Sequence, residues 1–284
     1  MSDVLYFNGR FTTTDERVLG VEDRGFLFGD AVYEVFKFLS KQPVFFRDHW
    51  RRLARNLDAI EIRNPWTEPS FIEAMRALLE RTAFADGIVY IQVSRGEGPR
   101  AHFYPDDMVP TTIAYSRVFR FPDAAKKERG VQLITTVDRR WKHCDVKSVN
   151  LLANALAKKE AQRAGADEVL LVDEGAVREG ASSNFFAVRG GRVITHPLDE
   201  HILPGVTRDH AITVARNAGI PLDEGTVREH ELGSLEEAFI SSTTLGVMPV
   251  VKIDDRPIGG GVRGTLTAQL QRLFDEAEAH AVGF

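Results

Sequence analysis

Strand-like and helix-like segments follow one another in an irregular order along this chain. VLYFNGRFT has asparagine–glycine at positions 8 and 9 between two strand-like runs, the pattern typical of a β-hairpin. AVYEVFKFL, residues 31–39, predicts a strand, and residues 47–60 and 68–83 have the apolar spacing of amphipathic helices. Because strands and helices do not alternate in regular β-α-β units, we predict an α+β fold.

A polar segment divides the chain into two predicted domains. RFPDAAKKERG, residues 120–130, has few apolar residues and lies between predicted strands, so we interpret it as a linker. It separates a small N-terminal α+β domain, residues 1–119, from a larger C-terminal domain, residues 131–284. The fold is therefore expected to comprise two domains of mixed helices and strands.

Five further predictions concern single elements. A helix is expected from Ser148 onward, with Ser148 as its N-cap, and another over residues 207–218 with Thr207 as its N-cap. We also expect a strand at residues 44–46. AFISSTTLGVMPVV is interpreted as one strand interrupted by hydroxyl residues, and Ser234 with Glu237 as the capping box of a short helix.

Composition excludes several classes of function. The chain has 284 residues, of which 43% are hydrophobic, and its formal net charge is -5 without a basic stripe, so nucleic acid is not a favoured partner. The single cysteine, Cys144, rules out an internal disulfide, and no cluster of metal ligands is visible. The N-terminus has no signal-peptide pattern, and no apolar run approaches the roughly 20 residues of a membrane span. We expect a cytoplasmic protein without a metal.

Lys147 stands immediately before the predicted helix N-terminus, where a cation is least favourable. A solvated surface lysine is the ordinary explanation. However, the residue lies between a strand region and an apolar-faced helix, and a helix N-terminus disfavours a charged amine. An amine that loses its proton easily can form a Schiff base with a carbonyl compound. Lys147 is therefore a candidate nucleophile.

Three other segments carry groups that suit a phosphorylated aldehyde cofactor. LPGVTRD, residues 203–209, runs from a glycine turn at Gly205, which allows unusual backbone angles, into a helix N-terminus, which is a ready anion site. SSTT, residues 241–244, places four hydroxyl groups at a strand end. Glu179 lies in a strand irregularity in VREGASSNFF and can pair with a cationic ring nitrogen. Each segment has an ordinary structural explanation when taken alone.

Four segments in order identify a family. DVKSVNLLANALAKKEA, VREGASSNFF, HILPGVTR and FISSTTLG are similar to segments of the fold-type IV pyridoxal-phosphate enzymes, at the expected spacing. The resemblance extends from about residue 5 to beyond residue 250, and within the family it is strongest to the D-amino-acid transaminases. It implies a fold-type IV transferase that uses pyridoxal 5'-phosphate.

The resemblance also implies roles for individual residues. Lys147 holds the cofactor as a Schiff base and moves the substrate α-proton, and Glu179 faces the pyridine nitrogen. Leu203 packs against the ring. The phosphate is expected to be bound by Arg52, which matches the H-x-x-R-L pattern of the family, and by Gly205, Val206, Thr207, Ser242 and Thr243.

The predicted substrate site distinguishes the branches of the family. Tyr33, with the R-x-H pair Arg100 and His102 in GEGPRAHFYP, is expected to bind the substrate α-carboxylate, and Thr244 is a further substrate residue. In the family, the R-x-H pair comes from the neighbouring subunit, so the resemblance implies a homodimer. Lys37 shares the face of Tyr33 and either adds positive charge near the substrate or points to solvent.

The expected reaction is therefore ping-pong transfer of an amino group from a D-amino acid, such as D-alanine or D-glutamate, to a 2-oxo acid such as 2-oxoglutarate or pyruvate. The alternatives are a branched-chain L-amino-acid aminotransferase, an R-selective amine transaminase and an aminodeoxychorismate lyase. A non-catalytic carrier or regulator that binds pyridoxal phosphate is the alternative outside enzymes. The substrate arginine argues against it, because a carrier has no need of one.

Overall fold

The computed structural model describes residues 3–284, and the chain folds into two compact units. Within the described residues, the first unit comprises residues 3–120, 146–150 and 281–284, and the second comprises residues 121–145 and 151–280. The short segment that contains Lys147 therefore belongs to the first unit, although its neighbours in sequence belong to the second.

The first unit is an antiparallel sheet covered by helices. Its six strands lie in the order β2-β1-β6-β5-β3-β4. One face of the sheet packs against helices, which enclose a core rich in aromatic residues, including Phe36, Phe46 and Phe71. The strands are β1 Val4–Phe7, β2 Arg10–Thr13, β3 Ala31–Leu39, β4 Gln42–Pro43, β5 Gly87–Ser94 and β6 Thr111–Arg117, and the helices are α1 Arg24–Phe28, α2 Phe46–Ala59 and α3 Glu68–Arg81.

The second unit is built on a mixed sheet of nine strands. Their order is β12-β11-β10-β13-β14-β7-β8-β9, with β15 paired to β14, and three of the pairings are parallel. The strands are β7 Val131–Val137, β8 Glu168–Asp173, β9 Ala176–Gly180, β10 Asn184–Arg189, β11 Arg192–Thr195, β12 Leu222–Glu224, β13 Glu237–Ser242, β14 Gly246–Ile253 and β15 Arg256–Pro257. The helices are α4 Ala124–Arg129, α5 Leu152–Arg163, α6 Val206–Asn217 and α7 Thr265–His280, with a 3-10 turn at Glu229–Ser234.

One extra pairing closes this sheet upon itself. Strand β9 also pairs with β10, where Glu179 lies opposite Asn184. In the strand order of the sheet β10 is third and β9 is last. Their pairing therefore joins distant parts of the sheet into a barrel-like wall. The closure places the Glu179 side chain beside β10.

Several predicted elements are confirmed and four are wrong. The hairpin at Asn8–Gly9 and the strand at residues 31–39 are present as expected. The predicted strand at residues 44–46 is absent, because Phe45 adopts a left-handed conformation and Phe46 begins α2. The predicted capping box at Ser234 is also wrong, because Ser234 ends a 3-10 turn and Glu237 begins β13.

The other two errors concern the segments that carry site residues. The helix expected from Ser148 begins at Leu152, because Ser148 bridges to Val32 of β3 instead. AFISSTTLGVMPVV is a hairpin rather than one interrupted strand, because residues 243–245 form the turn between β13 and β14. The predicted linker at residues 120–130 contains α4, and the domain boundaries stay a prediction.

Candidate functional site

The Lys147 segment lies along β3 as an irregular extension of the first unit's sheet. The backbone N–H of Tyr33 donates to the Lys147 carbonyl at 2.9 Å, and the N–H of Val149 donates to the Ala31 carbonyl at 3.1 Å. These bonds hold Lys147 beside Tyr33, and its amine nitrogen lies 4.2 Å from the centre of the Tyr33 ring. Tyr33 in turn stacks on Tyr90 of β5, with ring centres 5.7 Å apart. Strand pairing, rather than a helix N-terminus, therefore positions the predicted nucleophile.

A buried network of three charged or polar side chains joins β3 to α2. Glu34, which follows Tyr33 in β3, is fully buried and accepts hydrogen bonds from Arg52 Nε at 2.9 Å and Nη2 at 2.7 Å. His49 Nδ1 lies 3.0 Å from the same carboxylate. Burial alone would raise the pKa of Glu34, but the charge of Arg52 and the hydrogen bonds from His49 and Arg52 outweigh it and hold that pKa well below its ordinary value. Glu34 is therefore an ionised partner that fixes Arg52.

Lys147 lies within electrostatic reach of this network. Burial lowers the pKa of His49, the Glu34 carboxylate opposes that effect, and the charges of Arg52 and Lys147 lower the pKa further. Because the net shift is downward, we expect His49 to be neutral at pH 7. Within the network, the Glu34 carboxylate is therefore paired with one cation, the Arg52 guanidinium.

The predicted R-x-H pair lies in a loop between β5 and β6. Both Arg100 and His102 are exposed in the chain. Each side chain lies against Phe28, the last residue of α1: the Arg100 guanidinium is 5.7 Å from the ring centre, and the two ring centres of His102 and Phe28 are 5.9 Å apart. The Arg100 guanidinium and the His102 imidazole therefore lie against the same aromatic ring.

Lys37 does not point to solvent. Only 7% of the residue is exposed, so that alternative from the sequence is wrong. Strand alternation places Lys37 on the face of Tyr33, as expected.

In the second unit, Glu179 is the centre of a buried hydrogen-bond network. Its carboxylate accepts from Arg140 Nη1, from Asn184 Nδ2 at 2.8 Å and from the backbone N–H of Leu203 at 3.1 Å. The Asn184 amide also donates to the Leu203 carbonyl at 2.8 Å. Arg140 is held from its other side by Asp138, with Nη2 and Oδ2 2.7 Å apart. The predicted site residues Glu179 and Leu203 are thus joined directly.

The pKa of Glu179 lies near neutral pH. Burial raises the pKa of Glu179 to about 7, although the Arg140 guanidinium and the Leu203 N–H oppose the rise. The pKa of Arg140 is raised by Glu179 and Asp138, despite burial, so the guanidinium remains charged. A carboxylate with both oxygens held but with a raised pKa would be stabilised by a further cationic donor.

The first turn of α6 offers backbone donors to an anion. Helix α6 begins at Val206 with Gly205 as its N-cap, and Gly205 supplies no side-chain cap. The N–H groups of a first helical turn have no acceptor within their own helix, and the positive end of the helix dipole lies there. Thr207, expected to be the N-cap, is instead inside this turn and is buried. The anion site predicted here has the required local geometry.

Gly205 is needed for close packing rather than for an unusual backbone angle. Its φ of -69° and ψ of 134° are open to any residue, so the unusual angles that a glycine allows are not used here. A Cβ at this position would collide with Asn184 Oδ1. Because Asn184 holds both Glu179 and Leu203, glycine allows α6 to begin directly beside the Glu179 network.

The hydroxyl residues after β13 form a tight turn. Ser242 Oγ accepts from the backbone N–H of Leu245 at 3.3 Å and lies 3.5 Å from Thr244 Oγ1. Thr243 is half-buried at the tip of the turn, and Ser241 Oγ is buried without a hydrogen-bond partner among residues 3–284. Helix α6 packs against β13, so these hydroxyl groups and the α6 first turn belong to neighbouring elements.

Sequence reasoning did not identify Arg140, Asp138, Asn184, Glu34 or His49. Glu34 could have been found, because a carboxylate among apolar residues in AVYEVFKFL indicates a buried charge that needs a partner. Asn184 stands within the segment that identified the family, yet nothing in its spacing predicts two hydrogen bonds. None of the helices in residues 3–284 combines the length and apolar composition needed to cross a lipid bilayer.

Comparisons with known proteins agree with the resemblance seen in the sequence. The model of the amino-transferase class IV family matches residues 31–253. A D-alanine aminotransferase of Staphylococcus epidermidis is 36% identical over 98% of this chain and 99% of its own length. A D-alanine aminotransferase of Bacillus licheniformis is 37% identical over 96% of both chains. The solved branched-chain amino acid aminotransferase of Escherichia coli superposes with a TM-score of 0.90 at 24% identity, covering 98% of this chain and 95% of that one, and so has the same fold.

Proposed function

Because this chain belongs to the class IV aminotransferases, which are pyridoxal-phosphate enzymes, we propose that it transfers the amino group of a D-amino acid to a 2-oxo acid. The observation that carries the proposal is its similarity, over nearly the whole chain, to two D-alanine aminotransferases. The presence of Tyr33, Arg100 and His102 supports a substrate with an α-carboxylate, since a guanidinium and two further donors can bind one carboxylate.

The residues of the chain fit the cofactor. When bound, pyridoxal 5'-phosphate supplies an aldehyde that reacts with amines and a ring that accepts electrons. The raised pKa of Glu179 suits a carboxylate that binds a protonated ring nitrogen. The first turn of α6, which has no side-chain cap, suits a phosphate, and the small Gly205 leaves room beside Asn184.

In this proposal each predicted residue keeps its expected role. Lys147 is the nucleophile and carries the proton removed from the substrate α-carbon. Leu203 packs against the cofactor ring, and Arg52, fixed by Glu34, binds phosphate. The other phosphate donors are Gly205, Val206, Thr207, Ser242 and Thr243, and Thr244 contacts the substrate.

Substrate choice is tested by adding one amino acid at a time to the holoenzyme. D-alanine alone should remove the absorption band of the bound cofactor, and L-leucine should leave it unchanged. The reverse result would assign the chain to the branched-chain L-amino-acid branch. Release of pyruvate from added aminodeoxychorismate, with the absorption band of the bound cofactor retained, would assign it to the lyase branch.

The role of Lys147 is tested by substitution. Lys147→Ala should leave a folded protein without turnover, whereas Lys142→Ala, an exposed lysine in the same region, should keep wild-type turnover. Normal transamination by Lys147→Ala would refute the assignment.

Arg100→Ala should raise KM for D-alanine far more than it weakens cofactor binding, because Arg100 is proposed to contact the substrate only.

We also propose a homodimer in which Arg100 and His102 serve the partner's site. Exposed apolar side chains support such an interface: Phe103 and Val109 are close to this pair in sequence, and Val21 and Phe26 are close in sequence to Phe28, whose ring the pair contacts. Mixing the inactive Lys147→Ala variant with Arg100→Ala under subunit exchange should restore activity, because each mixed dimer contains one complete site. No recovery would show that Arg100 serves its own chain. The cytoplasmic location stays a prediction from the sequence.

A further inference from the structure

A buried arginine of α1 holds the loop that carries Arg100 and His102. Arg24 is 4% exposed, and its Nη1 donates to the carbonyl of Ala101 at 2.7 Å. Its Nη2 also reaches the carbonyl of His102, at 3.5 Å. The Arg24 guanidinium therefore binds the backbone carbonyls of the two residues that follow Arg100. These contacts hold the backbone between Arg100 and His102.

Arg24 is itself fixed by a carboxylate. Its Nε donates to Asp30 Oδ2 at 2.8 Å, with 5% of the Arg24 side chain and 13% of the Asp30 side chain exposed. Burial would raise the pKa of Asp30, but hydrogen bonds from Arg95 and Arg24 outweigh it and lower that pKa. Asp30 is therefore ionised at neutral pH and holds the guanidinium in one orientation.

The ring of Phe28 links Arg24 to both side chains of the pair. The Arg24 guanidinium lies 4.5 Å from the Phe28 ring centre, and the Arg100 guanidinium lies 5.7 Å from the same centre. His102 also packs against this ring. Arg24 thus contacts the loop backbone directly and shares with Arg100 and His102 the ring against which they lie.

We propose that Arg24 is a positioning residue that sets the geometry of Arg100 and His102 for binding the substrate carboxylate. Arg24 has no need to touch the substrate, because its effect passes through the Ala101 and His102 carbonyls and through Phe28. This inference rests on the proposed role of the R-x-H pair and extends it to the residues that hold the pair in place.

Arg95 provides a matched control within the same cluster. Arg95 is 6% exposed, donates to the same Asp30 carboxylate at 2.8 Å and lies over the ring of Tyr104. Its two Nη groups, however, donate to the carbonyls of Ile60 and Glu61 rather than to the R-x-H loop. The two arginines share burial and a carboxylate partner, and differ in the backbone segment that they hold.

The experiment compares Arg24→Lys with Arg95→Lys in the holoenzyme. Lysine keeps the charge but cannot bind the carboxylate and two carbonyls in one plane. Arg24→Lys should raise KM for D-alanine about tenfold, the effect of losing a charged hydrogen bond, with kcat and cofactor affinity unchanged. Arg95→Lys should leave KM unchanged. In an Arg100→Ala background, Arg24→Lys should raise KM much less, since both substitutions weaken the contact between Arg100 and the substrate carboxylate.

The outcomes separate this inference from the proposed function. If wild-type enzyme transaminates D-alanine but Arg24→Lys and Arg95→Lys change KM equally, the positioning role is refuted. If Arg24→Lys does not fold, Phe28→Leu should raise KM in its place, and an unchanged KM would refute the inference. If wild-type enzyme does not use D-alanine, amide hydrogen exchange decides: faster exchange at residues 101–103 in Arg24→Lys alone supports the positioning role, and equal exchange in both variants refutes it.

Discussion

Arg140 Nη1 donates a hydrogen bond to Oε1 of Glu179, at a position where only 7% and 5% of the two side chains are exposed. Little water reaches this pair, so the charge on each residue depends on the other. Asp138 binds the far side of Arg140 and keeps the guanidinium in place. In the proposed function, the charge that Glu179 offers to the cofactor ring therefore depends on Arg140, a residue that contacts neither ring nor substrate.

We predict that Arg140→Gln moves the acid limb of the kcat–pH profile to higher pH. Arg140 lowers the pKa of Glu179, whose value is about 7 because of burial, so removing the positive charge raises that pKa further. Glu179 is then protonated at neutral pH, and activity returns only as the pH rises through the new value. Arg139→Gln removes an adjacent but exposed arginine and should leave the profile in place. An identical profile for Arg140→Gln would contradict the prediction.

Glu179→Gln should lower kcat by about 100-fold or more, because the amide cannot supply the negative charge that the protonated ring requires. Cofactor should still bind, since the phosphate donors and Lys147 are untouched. The measurement is kcat at saturating D-alanine, with cofactor content determined by absorbance. Glu168→Gln is the control, because Glu168 is equally buried in the same unit but accepts from Ser182. Equal kcat values for the two variants would show that burial of a carboxylate, rather than its position, matters.

Gly205→Ala should weaken cofactor binding by about tenfold or more. The added Cβ would collide with Asn184 Oδ1 and displace the amide that holds Glu179 and Leu203, a loss of at least one hydrogen bond to a charged group. Equilibrium titration of the apoenzyme with pyridoxal phosphate gives the affinity. Gly225→Ala is the matched change, because the nearest atom to its Cβ would be 3.8 Å away, and it should bind as wild type does. Wild-type affinity for pyridoxal phosphate in Gly205→Ala would contradict the prediction and would show that the start of α6 shifts to make room for the added Cβ.

Glu34→Gln should lower the free energy of unfolding at pH 7 by about 3 kcal/mol, because it leaves Arg52 buried without its ionised partner. The folded-state pKa of Glu34 is depressed, so its stabilising contribution is present above about 4.5 and is lost as the pH falls toward the folded-state pKa. The difference between wild type and variant should therefore shrink below pH 4.5. Denaturant unfolding at pH 7, 5 and 4 measures it.

The control for this prediction is Glu16→Gln. The Glu16–Arg10 pair is exposed on both sides, and exposed pairs contribute little to stability. This variant should unfold as wild type does at each pH. A Glu34→Gln variant whose difference from wild type stayed constant from pH 7 to pH 4 would argue against an ionised Glu34 in the folded state.

Patterns that repeat within one element were sufficient to predict that element. The apolar and aromatic run AVYEVFKFL predicted β3 at residues 31–39, and asparagine–glycine predicted the β1–β2 hairpin, because both signals depend only on neighbouring residues. The helix start was wrong for the opposite reason. Ser148 has the chemistry of an N-cap, but the backbone around it pairs with β3, a partner more than 100 residues away in sequence.

The sequence by itself determined the family, the α+β class and the candidate residues, because ordered local motifs carry that information. Only the tertiary structure decided how those residues are held. The bond between Arg140 and Glu179 joins residues 39 positions apart, and the bond between Arg24 and Ala101 joins residues 77 positions apart. Such contacts follow from strand pairing and sheet closure, and no local period records them. Buried charges then require these partners, since an unpaired charge away from water is too costly.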